Sequence, residues 1–463
     1  MSTSAGPHGS ASSSLHASLH RLRNHADFRR ILSNSGWLMG EQLVRLAVTF
    51  VLGVWTARHL GPTDFGLLSY AIAYSGIFAV VATLGVNRIL VRELVAAADD
   101  LEQAAGLIST AFALRIGAAG VLYAAALAGT AWSGDTQLLL VALVAGGTIF
   151  SAADCADLYF QSKVESHHAT RARLVAFALG SAVRIALLLG GAPVLAFAAL
   201  ALLEGLLALA LLQVWYRAHG PRLRWSAVRR EHARRLLGES APEIIAGLGG
   251  ILFMRLDQVM LQHMLGPAAV GTFAVAARLT EIWYFVPVAI VASSFPGIVA
   301  LRESDRPAYL RRIEHLTGIL VLLAYAVALL VSLAAAPVVP RLFGSAYEAA
   351  ADVLLIQVWC GLFVVLAQTS GAWLMAERKA RQNMLRSLVG LGVNVGANLM
   401  LIPAFGAEGA AIGTLLSFAT AYFLYDITVP SMRPMARIKL RALLLLPLLT
   451  WLLQRGAGSR GAK

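Results

Sequence analysis

"LGPTDFGLLSYA" (Leu60–Ala71) and "LGPAAVGTFAVA" (Leu265–Ala276) spell nearly the same phrase twice in one chain. Leucine, glycine, proline, a second glycine and a closing alanine fall at matching places, and long apolar runs flank both copies. Proline removes a backbone donor and, with glycine beside it, ends a helix and turns the chain. Each copy therefore predicts a tight turn between two long helices, at the same point in the two halves of a duplicated fold.

The medium follows from composition. Of 463 residues, 58% are hydrophobic and only 14% charged, against roughly 25% charged in ordinary soluble domains. Water would meet large greasy patches on such a chain, so its solvent is a bilayer. Spanning takes about 20 mostly apolar residues per helix. By that measure spans fall at roughly 34–58, 65–87, 104–130, 136–160, 170–190, 193–216, 241–264, 270–299, 314–336, 349–375, 385–402 and 407–429. A last apolar stretch, "ALLLLPLLTWLL" (Ala442–Leu453), is short and holds Pro447; it reads either as interfacial or as a short thirteenth span.

The net charge of +13 would suggest nucleic acid in a soluble protein, but its distribution gives another reading. Alternate connections carry nearly all the basic residues: Arg88 and Arg92, then Lys163, Arg171 and Arg173, then the run from Arg217 to Arg235, then Arg302 to Arg312, Arg378 to Arg386, and Arg433 to Arg441. The opposite connections hold Arg341 and, at a helix edge, Arg58. The positive-inside rule makes the basic side cytoplasmic, with the N-terminus on it, and leaves no role for nucleic acid. The expected class is an all-α polytopic membrane protein of about twelve helices. Its parts are a disordered cytoplasmic tail (1–30), a six-helix lobe (31–216), a basic cytoplasmic linker (217–239), a second six-helix lobe (240–430) and a basic tail with a short apolar helix (431–463). An even number of spans per lobe makes this a parallel repeat, related by a pseudo-twofold axis along the membrane normal.

Catalysis finds little support. The outward loops are too short for a folded active site, and no P-loop, HExxH or GxSxG motif is present. His167 and His168 sit beside Arg171 in a loop and read as solvated. Cys155 and Cys360 lie apart in apolar runs and read as small buried hydrophobes, so neither metal nor cofactor is expected.

Charge inside the spans stands out instead, because an ionisable group at membrane depth costs several kcal/mol unless paired or hydrated. Glu41 and Arg45, four apart on one helix, can neutralise each other, as can Arg278 and Glu281, three apart. Arg184 and Glu204 lie on adjacent helices and can pair across the turn. Asp154 and Asp157 share a side near the basic end of their span. Arg115 has no local partner, and Arg255 points away from Asp257, two residues on. Arg115 and Arg255, with Arg45, Arg184 and Arg278, are the candidates for a cationic lumen; Glu41, Asp154, Asp157, Glu204, Asp257 and Glu281 are candidate coupling or ion-pair acids. Guanidinium grips phosphate bidentately and stays charged at any working pH, so such a lumen suits a phosphate- or carboxylate-bearing substrate.

Three stretches carry a family resemblance. Asn34–Leu94, with Ala57-Arg58, Leu60-Gly61-Pro62 and Phe65-Gly66, resembles the opening of Wzx-type polysaccharide flippases. Phe253–Pro296 resembles that family's seventh and eighth helices, with Arg255, Asp257, Gly266, Gly271, Ala277, Glu281, Pro287 and Pro296 in order, and Asn398–Thr414 resembles its last hairpin. The resemblance implies the multidrug/oligosaccharidyl-lipid/polysaccharide exporter fold. It also implies alternating-access transfer of a polyprenyl-pyrophosphate-linked oligosaccharide across the bacterial inner membrane, for surface polysaccharide such as O-antigen or exopolysaccharide. Implied partners are that lipid-linked substrate, membrane lipids, and the polymerase and chain-length machinery. An organic-ion exporter on the same fold would need a carboxylate-dominated cavity. A membrane enzyme acting on lipid-linked sugars would need a large loop with catalytic residues.

Overall fold

A chain in hydrocarbon must satisfy its backbone hydrogen bonds within its own segments, and helices do so. The computed structural model describes residues 25–97, 100–132, 137–151 and 154–446, and among these there are helices and turns and no strand. Helix α1 runs His25–Ala82, so it already covers residues 25–30, placed in the tail from sequence. It is followed by α2 (Asn87–Ala96), α3 (Leu101–Trp132), α4 (Leu138–Ser151), α5 (Ala156–Ser162), α6 (His167–Leu189) and α7 (Val194–His219). Then come α8 (Arg230–Gly238), α9 (Ala241–Leu265), α10 (Pro267–Glu281), α11 (Phe285–Ser304) and α12 (Arg306–Phe343). The chain closes with α13 (Ala350–Gln357), α14 (Cys360–Ala376), α15 (Ala380–Ala419), a π turn (Thr420–Leu424), α16 (Tyr425–Thr428) and α17 (Arg433–Leu443).

Two units divide this chain, one up to Gly53 and one from Val54 onward. The first is the leading part of α1, where Val44 and Val51 are exposed. The second holds everything described below.

Among the described residues ten helices are long and apolar enough to cross a membrane. Two of them, Val44–Ala96 and Ala380–Thr428, contain a glycine break, at Gly61 (φ 71°, ψ 172°) and Gly406 (φ 61°, ψ −137°). Each break divides its helix in two, which restores the count expected from the repeat. Gly266, between α9 and α10, has φ 87° and ψ −177°, the same conformation as Gly61. A side chain in such a left-handed region costs about 1–2 kcal/mol, so glycine is what both turns require. The repeated phrase is therefore a repeated backbone.

The hairpins meet in the main core, where Phe65, Tyr70, Phe273, Phe343 and Tyr347 are buried together. A second core at the basic end gathers Leu90, Phe160, Tyr216 and Leu236. Within the first lobe α4 packs on α7 through glycine: a Cβ on Gly147 would lie 2.2 Å from the Ala201 carbonyl oxygen. Small residues let helices in lipid approach this closely, and the close approach is what holds them.

The 217–239 segment folds back onto α3. The Arg224 amide donates to Ser109 Oγ and the Arg229 amide to Thr110 Oγ1, each at 3.1 Å. Helix α8 buries Leu236 completely. At the other end of the second lobe, α17 inserts Lys439, which is 0% exposed. Its Nζ donates to Asp426 Oδ2 at 2.5 Å and to the Tyr422 carbonyl at 2.6 Å. Most of the apolar stretch Ala442–Leu453 lies outside the described residues.

Candidate functional site

Three of the five arginines singled out in the sequence come into one electrostatic neighbourhood. Arg184 on α6 donates through Nη2 to both carboxylate oxygens of Glu204 on α7, at 3.0 and 3.1 Å. Its buried Nε has no acceptor. Arg255 on α9 lies 3.5 Å from Glu281 on α10. Arg278, a turn before Glu281, sets its guanidinium 4.7 Å over the ring of Phe65. Arg278 lies within electrostatic reach of Arg184, Arg255 and Glu281. Two arginine–carboxylate pairs and Arg278 thus share one neighbourhood, and one lobe supplies Arg184 while the other supplies Arg255 and Arg278. The side chains of Arg184 and Arg255 are 27% and 33% exposed.

Arg115 is 2% exposed and is bonded to the surrounding chain. Its Nε donates to the Thr83 carbonyl at 3.1 Å, its Nη1 to the Asp154 carbonyl at 2.8 Å, and its Nη2 to Asn87 Oδ1. It ties α3 to the turn after α1 and to the start of α5. Asp154 accepts from the Ala156 amide and from Gln213 Nε2, and Asp157 pairs with Arg173. Arg45 is half-buried in the separate leading unit, and the side chain of Glu41 lies outside the described residues.

Asp257 is built differently. Its Oδ1 accepts from Asn394 Nδ2 at 2.9 Å and Asn398 Nδ2 at 2.6 Å, and its Oδ2 accepts from Thr414 Oγ1 at 2.8 Å. Asn394 and Asn398 are one turn apart on α15, and Thr414 follows the Gly406 break on the same helix. All four side chains are buried, and all three donors are neutral. A small cavity of about 20 Å³ adjoins them, lined also by Thr280, Glu281 and Gln357. Three buried polar oxygens in this region, Thr280 Oγ1, Gln357 Oε1 and Asn398 Oδ1, make no hydrogen bond. A buried carboxylate among neutral donors and spare oxygens can take up a proton or a cation. Sequence reading found Asp257 and missed its partners, although Asn394 and Asn398 at i and i+4 inside an apolar run are the signal that marks them.

The lobes are clasped at both ends. At the Gly-Pro end, Tyr347 Oη donates to the Ala57 carbonyl at 2.8 Å. At the basic end, Arg88 pairs with Glu243 of the second lobe at 3.3 Å, while Arg92 with Glu239 at 2.8 Å and Arg235 with Glu93 at 3.0 Å tie the first lobe to the 217–239 segment. There Gly85 lies so close to the start of α9 that a Cβ on it would come 2.9 Å from the Ser240 carbonyl oxygen.

A fold of two helical lobes with polar groups inside its spans defines a multi-pass membrane protein. A family model described as polysaccharide biosynthesis protein matches residues 31–302, more than half of the chain, and the chain belongs to that family. A second model, MatE, matches residues 242–400. The chain is similar to the probable flippase AglR of Haloferax volcanii, 28% identical over 184 residues, covering 38% of this chain and 37% of that protein. It is also similar to the probable low-salt glycan biosynthesis flippase Agl15 of the same organism, 24% identical over 208 residues and 42% of each chain. It therefore spans about two fifths of the length of the curated relatives it matches. Among solved structures, an inward-facing multidrug resistance MATE family transporter of the MOP superfamily superposes with TM-score 0.64 at 16% identity, over 84% of this chain and 95% of that one. The lipid II flippase MurJ in an inward closed conformation gives 0.61 at 10% identity, over 89% and 91%. These likenesses establish the two-lobe, all-helical fold expected from the sequence.

Proposed function

We propose that the protein is a flippase that moves a polyprenyl-pyrophosphate-linked oligosaccharide across the cytoplasmic membrane by alternating access, for surface polysaccharide. The observation that carries this reading is the electrostatic neighbourhood that Arg184 of one lobe shares with Arg255 and Arg278 of the other. A pyrophosphate drawn to them would engage both lobes at once. Substrate would displace Glu204 and Glu281 as the arginines' partners, and the spare Nε of Arg184 offers a further donor. Rocking of the lobes would then open one clasp while the other holds. Asp257 is the coupling group, gaining or losing a proton or cation as the lobes move. The basic connections and the N-terminus face the cytoplasm, and the product passes to polymerase and chain-length machinery.

The MatE match over residues 242–400 favours one second reading, export of an organic ion on the same fold. Proteoliposomes loaded with defined lipid-linked oligosaccharide separate the two. Wild type is expected to transfer the lipid between leaflets, and Arg184→Ala and Arg278→Ala to slow transfer at least about tenfold, the cost of one charged hydrogen bond. Wild-type rates in both variants, or efflux of organic ions with no lipid transfer, would overturn the proposal.

A further inference from the structure

The folded-back segment between the lobes encloses a cavity of about 610 Å³ at the basic ends of the spans. Arg222, Arg224 and Arg229 line one side, with His219 beside them, and Tyr159 and the first turn of α3 form the other. Its one acidic lining residue is Glu102, 3.9 Å from Arg229 and 91% exposed. Arg222 and Arg224 have no carboxylate partner among the described residues. Basic residues on a free tether would spread out to lower their repulsion. These are held: the Arg224 and Arg229 amides are bonded to Ser109 and Thr110, and Gly106 admits the His232 ring so closely that a Cβ would sit 2.9 Å from it. The cavity is thus preformed, and its charge is unbalanced.

Its position decides the kind of anion. The segment begins at the end of α7, a spanning helix, and carries Trp225 at 73% exposure with Val228 also exposed. Tryptophan with arginine at a helix end is the composition of a membrane–water interface, where the ring sits at headgroup depth. Arginines there attract anionic lipid, each by about 1 kcal/mol. We propose that this cavity binds the phosphate of an anionic phospholipid headgroup, with Arg222, Arg224 and Arg229 as its ligands and Trp225 anchoring the rim. The site is separate from the arginines between the lobes, and it stands whether or not the transport reading does.

Native mass spectrometry of the full chain, released from nanodiscs containing phosphatidylglycerol and phosphatidylcholine, tests it. Wild type is expected to retain phosphatidylglycerol selectively. R222Q/R224Q/R229Q should lower that retention at least about tenfold, and R311Q/R312Q/R378Q, which removes as many exposed arginines from other connections, should not. Ser109→Ala is the second probe. It changes no charge but frees the Arg224 backbone, and is expected to weaken retention severalfold. Equal loss in the two triple variants, or unchanged retention in both R222Q/R224Q/R229Q and Ser109→Ala, would overturn the site. Glycerol 3-phosphate serves as the soluble arm: saturable binding to lipid-free wild type, lost in R222Q/R224Q/R229Q, would assign the cavity to soluble phosphates and overturn its assignment to lipid.

Discussion

Gly66 and Gly271 each sit against the other hairpin's backbone. A Cβ on Gly66 would lie 1.8 Å from the Pro267 carbonyl oxygen, and one on Gly271 would lie 2.0 Å from that of Pro62. Each repeated phrase uses its second glycine to seat the proline turn of the other, so the two copies form a single contact between the lobes.

Gly66→Ala and Gly271→Ala should each force that contact apart. Overpacking against backbone costs about 1–3 kcal/mol, occasionally more. Both variants are expected to melt lower than wild type in detergent and to expose a cysteine placed at Pro62 to aqueous maleimide. Because they strike the same interface, the double variant should lose less than the sum of the singles. Wild-type melting in either single variant would show that the hairpins are not held this closely.

Arg115→Ala separates a positioning arginine from a binding one. It removes the charged donors from the part-buried carbonyls of Thr83, which keeps the Val86 amide at 3.4 Å, and Asp154, a loss of about 1.5–3 kcal/mol for a charge-assisted bond. Lower thermal stability is expected, with an unchanged apparent KM for the lipid substrate in the protein that remains folded. A raised KM at wild-type stability would put Arg115 in the binding site after all.

Asp257→Asn should uncouple transport. The amide keeps the volume; its oxygen can accept from Asn394 and Asn398 while its NH2 donates to Thr414 Oγ1, which turns its own proton to the Ala410 carbonyl, but the charge is lost. Transfer by wild type is expected to change with an imposed proton or sodium gradient, and transfer by the variant to be flat. A variant that still follows the gradient would move coupling elsewhere. Asn398→Ala, which takes a donor from the buried carboxylate, should lower stability by about 1–3 kcal/mol.

Glu377, in the turn between α14 and α15, gives a pH dependence. Burial pushes its carboxyl up, but hydrogen bonds and charge from Arg306, with Tyr309 and Arg302 adding to them, outweigh this and hold it below the usual carboxylate range. Arg306 Nη1 reaches it at 2.6 Å. A carboxyl with a depressed folded-state pKa contributes stability above its unfolded pKa and loses it as pH falls through the folded one. The melting difference between wild type and Glu377→Gln should therefore be full at neutral pH and shrink below about pH 4, near the ordinary glutamate value. A difference independent of pH would show that the ion pair carries no stability.

The architecture was readable because its signals are local. Leu-Gly-Pro at Leu60 and Leu265 fixes two turns by backbone chemistry alone, and apolar run length with arginine placement orders the rest. Arg184 with Glu204 was readable because a short turn joins their helices. The partners of Arg115 were not legible because two of them are main-chain carbonyls, which every residue has and no sequence marks. Asn394, Asn398 and Thr414 escaped because they reach Asp257 from 137, 141 and 157 residues away; two carboxamides one turn apart in an apolar run were visible, but nothing in the sequence names the carboxylate they serve. The 217–239 segment was read by its charge as a linker; the two hydroxyls that pin it, Ser109 and Thr110, belong to a helix far back in the chain.

The ammonium of Lys439, shut inside the second lobe against Asp426 and the Tyr422 carbonyl, makes the last described helix a plug and not an appendage. A polypeptide cut short before Lys439 would leave Asp426 as a naked anion in a dry interior, a penalty of about 3–5 kcal/mol. Fluorescent or affinity fusions thus belong beyond Leu443, where lengthening the chain leaves that carboxylate covered.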